Sequence, residues 1–206
     1  MKKENRKKCE LRSSETARST AMSAKKVIPT QNEMFFEDHE IIVSKTDPRG
    51  IITYANDVFQ RVAGYTEEEL LGQPHNLIRH PDMPACVFKL LWDTIKSGKE
   101  IFAYVKNMAR NGDHYWVFAH VTPSYDANGS IVGYHSNRRV PSRDALDKIQ
   151  PVYAQLREIE LKAANPRDGM NQAFEQVVKL LEDSETDYSN FVFNLSEETQ
   201  LCHALD

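Results

Sequence analysis

Runs of β-branched residues dominate the chain from Ile41 to Tyr54. Ile41-Ile42-Val43-Ser44-Lys45-Thr46 and Ile51-Ile52-Thr53-Tyr54 flank Asp47-Pro48-Arg49-Gly50, which predicts an antiparallel hairpin. The period then turns helical. Asn56 or Asp57 caps a short helix carrying Val58, Phe59 and Val62, ended by Gly64. Thr66 and Glu69 have the spacing of a capping box before Leu70 and Leu71, and Gly72 stops that turn. Val87, Leu90, Leu91, Thr94 and Ile95 mark a longer helix, with Phe88 and Trp92 on a neighbouring stripe and Ser97-Gly98 at its end. Alternation returns in Ile101–Met108 and His114–Thr122, joined at Asn111-Gly112, and Asp126–Gly129 turns into a last strand, Ile131–Ser136.

These elements make a five-stranded antiparallel sheet with helices inserted after the second strand, an α+β architecture. Helices on one face leave a concavity between themselves and the sheet. On the fourth strand Tyr115, Val117, Ala119 and Val121 share one face, and His114, Trp116, Phe118 and His120 the other. Three segments are expected: a disordered basic tail over 1–28, the α+β domain over 29–140, and a helical extension over 141–206. In the extension, Ile149, Val152, Tyr153, Leu156 and Ile159 form one apolar stripe. Met170, Phe174, Val177, Val178 and Leu181 form another, past the break at Asn165–Gly169. One stripe is expected to pack on the sheet and the other on a second copy or a receptor, against the alternative of a helical hairpin within the chain.

Charge sharpens this division. Residues 1–26 carry nine Lys or Arg against three acids, net +6, and almost no large apolar side chains. Such a segment buries too little surface to offset its ordering entropy. Residues 141–206 are net −7, and the middle gives no nucleic-acid footprint. No run approaches the length of a membrane span, and the basic start lacks the apolar region of a secretory signal. Three widely spaced cysteines, Cys9, Cys86 and Cys202, argue against a disulfide framework and for a cytoplasmic setting.

The densest chemistry lies in Pro74–Pro84, Pro-His-Asn-Leu-Ile-Arg-His-Pro-Asp-Met-Pro. Its prolines fix φ and push the preceding residues out of the α region, so it reads as a stiff, polar-lined turn. Enzyme templates fail: there is no Gly-rich phosphate loop, no Gly-x-Ser-x-Gly and no His-Glu-x-x-His. His75, His80 and Cys86 have spacings that fit no metal-binding helical face. The expectation is a non-enzymatic binding module. His75, Arg79, His80 and Asp82 stand at one lip of the concavity, Phe88 and Trp92 a turn further on, and Asn56 and Asn107 at the sheet. Amide, guanidinium and imidazole groups around aromatic walls suit a flat heteroaromatic ligand with an anionic tail, such as a flavin dinucleotide. Spacing alone does not separate that ligand from haem or another planar molecule.

Residues from about Pro29 to Tyr153 resemble the flavin-binding PAS domain of bacterial aerotaxis receptors. The resemblance lies in Thr46-Asp47, Ile52–Asp57, Gly64-Tyr65-Thr66, Gly72–Asn76, Arg79–Pro84, Val105-Lys106-Asn107 and Asn111–Val117. It implies a PAS fold holding FAD without a covalent bond, with contacts from Asn56, His75, Arg79, His80, Asp82, Phe88, Trp92 and Asn107. It further implies a redox sensor signalling to a partner such as a chemoreceptor, in the manner of stand-alone PAS proteins. Where the family usually has a tryptophan between Gly98 and Val105, this chain has Ile101. The rival expectations are a haem-binding gas sensor and an empty PAS domain used for dimerisation or docking.

Overall fold

The computed structural model describes the backbone of residues 27–203 and the side chains of 27–195. The expected basic tail over 1–28 lies outside the described residues except for Val27 and Ile28. Strands β1 (Ile42–Thr46) and β2 (Ile52–Ala55) form the first hairpin, and β3 (Ile101–Met108), β4 (His114–Tyr125) and β5 (Ile131–Arg139) follow the helices. Sheet order is β2-β1-β5-β4-β3, with antiparallel pairing throughout. The first and last strands are thus neighbours at the centre of the sheet, with Ser44 opposite Ser136 and Ile42 opposite Arg138.

Between β2 and β3 lie α1 (Asp57–Ala63), α2 (Glu67–Leu70), a 3-10 turn (His75–Ile78) and α3 (Ala85–Lys96). Their ends follow the local chemistry. The Asn56 side chain caps α1 by accepting from the Phe59 amide, and Gly64 closes it in the left-handed region. Thr66 and Glu69 form both bonds of the capping box at α2. The proline-rich segment is pinned at two points. The His75 amide donates to Gly50 at 2.9 Å, and Arg79 bridges to Asn107 of β3.

Helices α1–α3 cover the face of the sheet carrying Val105, Val117 and Ala119. The opposite face of β3 and β4 is covered as well. Tyr153 of α4 (Arg143–Lys162) stacks near Trp116 and donates to the Tyr104 carbonyl at 2.8 Å. Phe193 of α6 (Tyr188–His203) meets Phe102 and Phe118. Between them α5 (Pro166–Asp183) returns along α4 and reaches α3. Both apolar stripes of the extension are therefore used inside the chain. Ile149, Tyr153 and Leu156 join Ala173 and Val177 in the same core as Phe59 and Val117. The helical hairpin prevails because each stripe finds apolar surface on the other and on the sheet. Among the described residues no helix is long and apolar enough to cross a membrane.

Candidate functional site

A cavity of about 280 Å³ lies between α3, the proline-rich segment and the sheet. Alternation on β3 and β4 supplies its apolar floor, Val105, Val117, Ala119 and Val121. Helical spacing on α3 supplies its wall, Phe88, Leu91, Trp92 and Ile95. The polar groups come from Ser44, His75, Asn76, Arg79, Asn107, Ser136 and Arg138. Its exposed lining residues, Arg49, Pro74 and Asn76, mark the mouth. Trp92 packs on the Gly50 turn so closely that a Cβ there would stand 2.8 Å from the indole. With φ at +84°, Gly50 is required on both counts.

Arg138 is the least compensated group in the lining. It is 2 % exposed, and its Nε and Nη1 have no hydrogen-bond partner. Nη2 donates to Ser44 Oγ, and the guanidinium stands 4.5 Å from the Phe59 ring centroid. No carboxylate pairs with it among the described residues. Burial pushes its pKa down to about 10. Since Ser44 Oγ accepts from the arginine, its own hydrogen is free for His75 Nε2, 3.1 Å away. Burial, and then the charge of Arg138, push the His75 pKa down to about 3. The imidazole is therefore neutral at pH 7, accepting at Nε2 and carrying its proton on Nδ1.

Two further groups face the cavity with bonding capacity to spare. The Arg79 guanidinium lies over the Phe88 ring, 3.7 Å from its centroid, with Nε buried and unpartnered. Burial lowers its pKa. Asn107 is 5 % exposed, and its side chain makes no hydrogen bond among the described residues.

Five of the eight residues singled out in the sequence thus share one lining: His75, Arg79, Phe88, Trp92 and Asn107. The other three stand outside it. Asn56 is used by the backbone, accepting from the Val43 and Phe59 amides and donating to the Ile41 carbonyl. His80 is buried behind the segment, edge-on to His114, with Nδ1 accepting from the Asp82 amide. Burial, then the charge of Lys106, push its pKa down to about 4. Asp82 faces outward and pairs with Lys106 at 2.8 Å. Ile101 packs with Ile95, Val121 and Tyr134 in a small second cluster beside the cavity.

Arg138, Ser44, Ser136 and Tyr134 were missed in the sequence. Period-2 alternation from Tyr134 through Ser136 reaches Arg138 on the inward face, but the last strand was expected to stop at Ser136. Extending it by one repeat puts an arginine on a buried face, which is the signal that was available. Chemically, the arrangement can hold a flat, largely apolar ligand whose edge accepts hydrogen bonds from Arg138 and Asn107. Among the described residues no cluster of His, Cys, Asp or Glu is suited to a metal ion.

Comparison with known proteins agrees with this architecture. Residues 52–138 match the family model described as the PAS fold, and the five-stranded sheet with its helices is PAS-like. It is 43% identical over 127 residues to the aerotaxis receptor of Escherichia coli K12, covering 62% of this chain and 25% of the receptor. It is 31% identical over 103 residues to the nitrogen fixation regulatory protein of Klebsiella pneumoniae, covering 50% of this chain and 21% of that protein. The chain spans about a quarter of the length of these relatives. The dark structure of the blue-light photoreceptor Aureochrome1 LOV aligns with a TM-score of 0.48 at 21% identity, covering 58% of this chain and 86% of that one.

Proposed function

We propose that the cavity receives the ring system of FAD and that the chain is a cytoplasmic redox sensor, signalling to a chemoreceptor or another signal-transduction protein. The observation that carries this reading is Arg138, a buried cation in the cavity lining with two donor nitrogens, Nε and Nη1, left without a partner among the described residues. An unpaired buried guanidinium is costly, and a ligand with acceptor atoms on a flat edge offsets that cost. A bound flavin supplies reversible uptake of electrons and protons.

The protein's own part is electrostatic and geometric. Arg138 favours negative charge gathering at the ligand edge, in a setting where apolar walls strengthen the attraction. The Ser44–His75 pair orients the guanidinium. Asn107 presents either donor or acceptor by rotating its amide, so it can follow a change of protonation at that edge. Phe88 and Trp92 flank the ring and exclude water. Arg79 suits the anionic part of the ligand. A volume of about 280 Å³, at the small end of ligand pockets, suits a fused ring more than a whole dinucleotide. In this reading Asn56, His80 and Asp82 support the residues beside them. The domain then binds its ligand without turning over a substrate, and the Ser44–His75 pair serves Arg138.

Haem draws less support. His75 is the histidine of the lining, and its Nε2 faces Ser44 next to a buried positive charge. The absorption spectrum of the purified protein tests the reading. Two flavin bands are expected, with FAD rather than FMN released on denaturation. A Soret band would make the domain a haem sensor. A featureless spectrum that persists after incubation with FAD would leave an empty docking module.

A further inference from the structure

The N-terminus of α3 is capped from far away in the sequence. Pro84 precedes the helix and offers no side-chain cap. Glu160, near the end of α4, supplies it: Oε1 accepts from the Cys86 amide at 2.9 Å. The first amides of a helix lack intrahelical partners, and a carboxylate there also meets the positive end of the helix dipole. The Glu160 side chain is 4% exposed, and Arg157 Nη1 donates to its other oxygen at 3.1 Å. The same guanidinium donates through Nε to the Pro81 carbonyl, at 3.1 Å. Pro81 and Cys86 bracket the point where the proline-rich segment passes into α3. Two residues either way, Arg79 and Phe88 line the cavity. α4 therefore holds the cavity wall from behind. Gly169 seats α5 against this grip, since a Cβ there would come within 2.5 Å of the Glu160 carbonyl oxygen.

We propose that Glu160 and Arg157 are positioning residues for the cavity, and that occupancy of the cavity is passed through them to the α4–α5 pair. A ligand that orders Arg79 and Phe88 also orders Pro81 and Cys86, the two groups α4 binds. Linkage makes the effect mutual: what tightens the wall tightens its hold on α4, and loosening α4 weakens the ligand. The nature of the occupant rests on the flavin reading. The grip of α4 on the wall does not.

The test uses the full chain, with FAD as the probe. Glu160→Ala is expected to weaken FAD binding on the order of tenfold. Glu160→Gln, whose amide oxygen still accepts from Cys86, recovers most of that loss. Glu158→Gln removes the same charge from an exposed site on the same helix and leaves binding unchanged. Bound FAD slows amide hydrogen exchange in α4 of the unmodified protein, and the slowing disappears in Glu160→Ala. Arg157→Ala, altering a partly exposed side chain, replaces Glu160→Ala if the latter does not fold. Unaltered FAD binding with α4 exchange still responsive, or an equal effect from Glu158→Gln, overturns the proposal. If the unmodified protein binds no FAD, the flavin reading fails and the grip is read without ligand, from the Trp92 indole N–H resonance. A shift in Glu160→Ala or Arg157→Ala but not in Glu158→Gln upholds the grip, and identical positions in all three sink it.

Discussion

Arg79 lies face-on over Phe88, its guanidinium 3.7 Å from the ring centroid, and the pair forms one side of the cavity. The arginine is held by stacking, so its donors remain available to a ligand. Arg79→Ala is expected to lose a charge-assisted contact of roughly 1.5–3 kcal/mol, one to two decades of FAD affinity. Titration of the apoprotein with FAD measures it, and wild-type affinity in the mutant would remove Arg79 from the ligand's contacts.

Arg138 carries a contrary pair of effects. Its pKa, lowered from 12.5 to about 10, corresponds to a burial cost on the order of 3 kcal/mol for the charged form. Arg138→Met is therefore expected to leave the free protein as stable or more stable, while FAD affinity falls. Urea denaturation of the apoprotein and a binding titration read the two separately. A variant that loses stability and keeps its flavin would contradict both halves.

His75 makes stability depend on pH. Its folded pKa of about 3 lies below the usual 6.5, so the unfolded chain takes up a proton that the folded one refuses. This contribution is fully present above pH 6.5 and is lost progressively as pH falls toward 3, about 1.4 kcal/mol per unit. His80, with a folded pKa of about 4, acts in the same direction. His75→Gln should flatten the fall in urea midpoint between pH 6.5 and 4.5 by close to one proton. An unchanged slope would mean that His75 is protonated in the fold.

Gly50 is constrained by φ and by Trp92 together. Gly50→Ala is expected to cost about 1 kcal/mol or more, since the strain at positive φ adds to the clash. The clash is relieved in a Trp92→Ala background, so the double mutant should lose less than the sum of the singles. Thermal unfolding of the four proteins measures the difference, and strict additivity would show that the indole does not press on the turn.

Removing α4–α6 should undo the fold. Leu146, Ile149, Tyr153 and Leu156 are each at most 5% exposed, and burial of four such side chains contributes about 6–12 kcal/mol, comparable to the net stability of a domain. Truncation after Ser142 is expected to abolish cooperative unfolding. A truncated chain that still melts sharply would make the helices an accessory to a self-sufficient sheet.

The elements were legible because their causes are local. A proline turn between β-branched runs, the Thr66–Glu69 box and the Gly64 stop each act within a few residues, and the structure has all of them. The break of the proline-rich segment from any continuous helix was legible for the same reason, as were the helical spacing of Phe88 and Trp92 and the strand position of Asn107. Which polar residues share the cavity was decided by tertiary structure. Asn56 and Asp82 carry side chains suited to a ligand, yet a helix cap and a lysine satisfy them first. Arg138 became central because β5 pairs beside β1, bringing it to Ser44 from 94 residues away. The partner of each apolar stripe was likewise beyond the sequence, for amphipathicity records that a face must be covered and not by what. The capping of α3 by Glu160 depends on where α4 ends in space, and nothing within a turn of either residue encodes it.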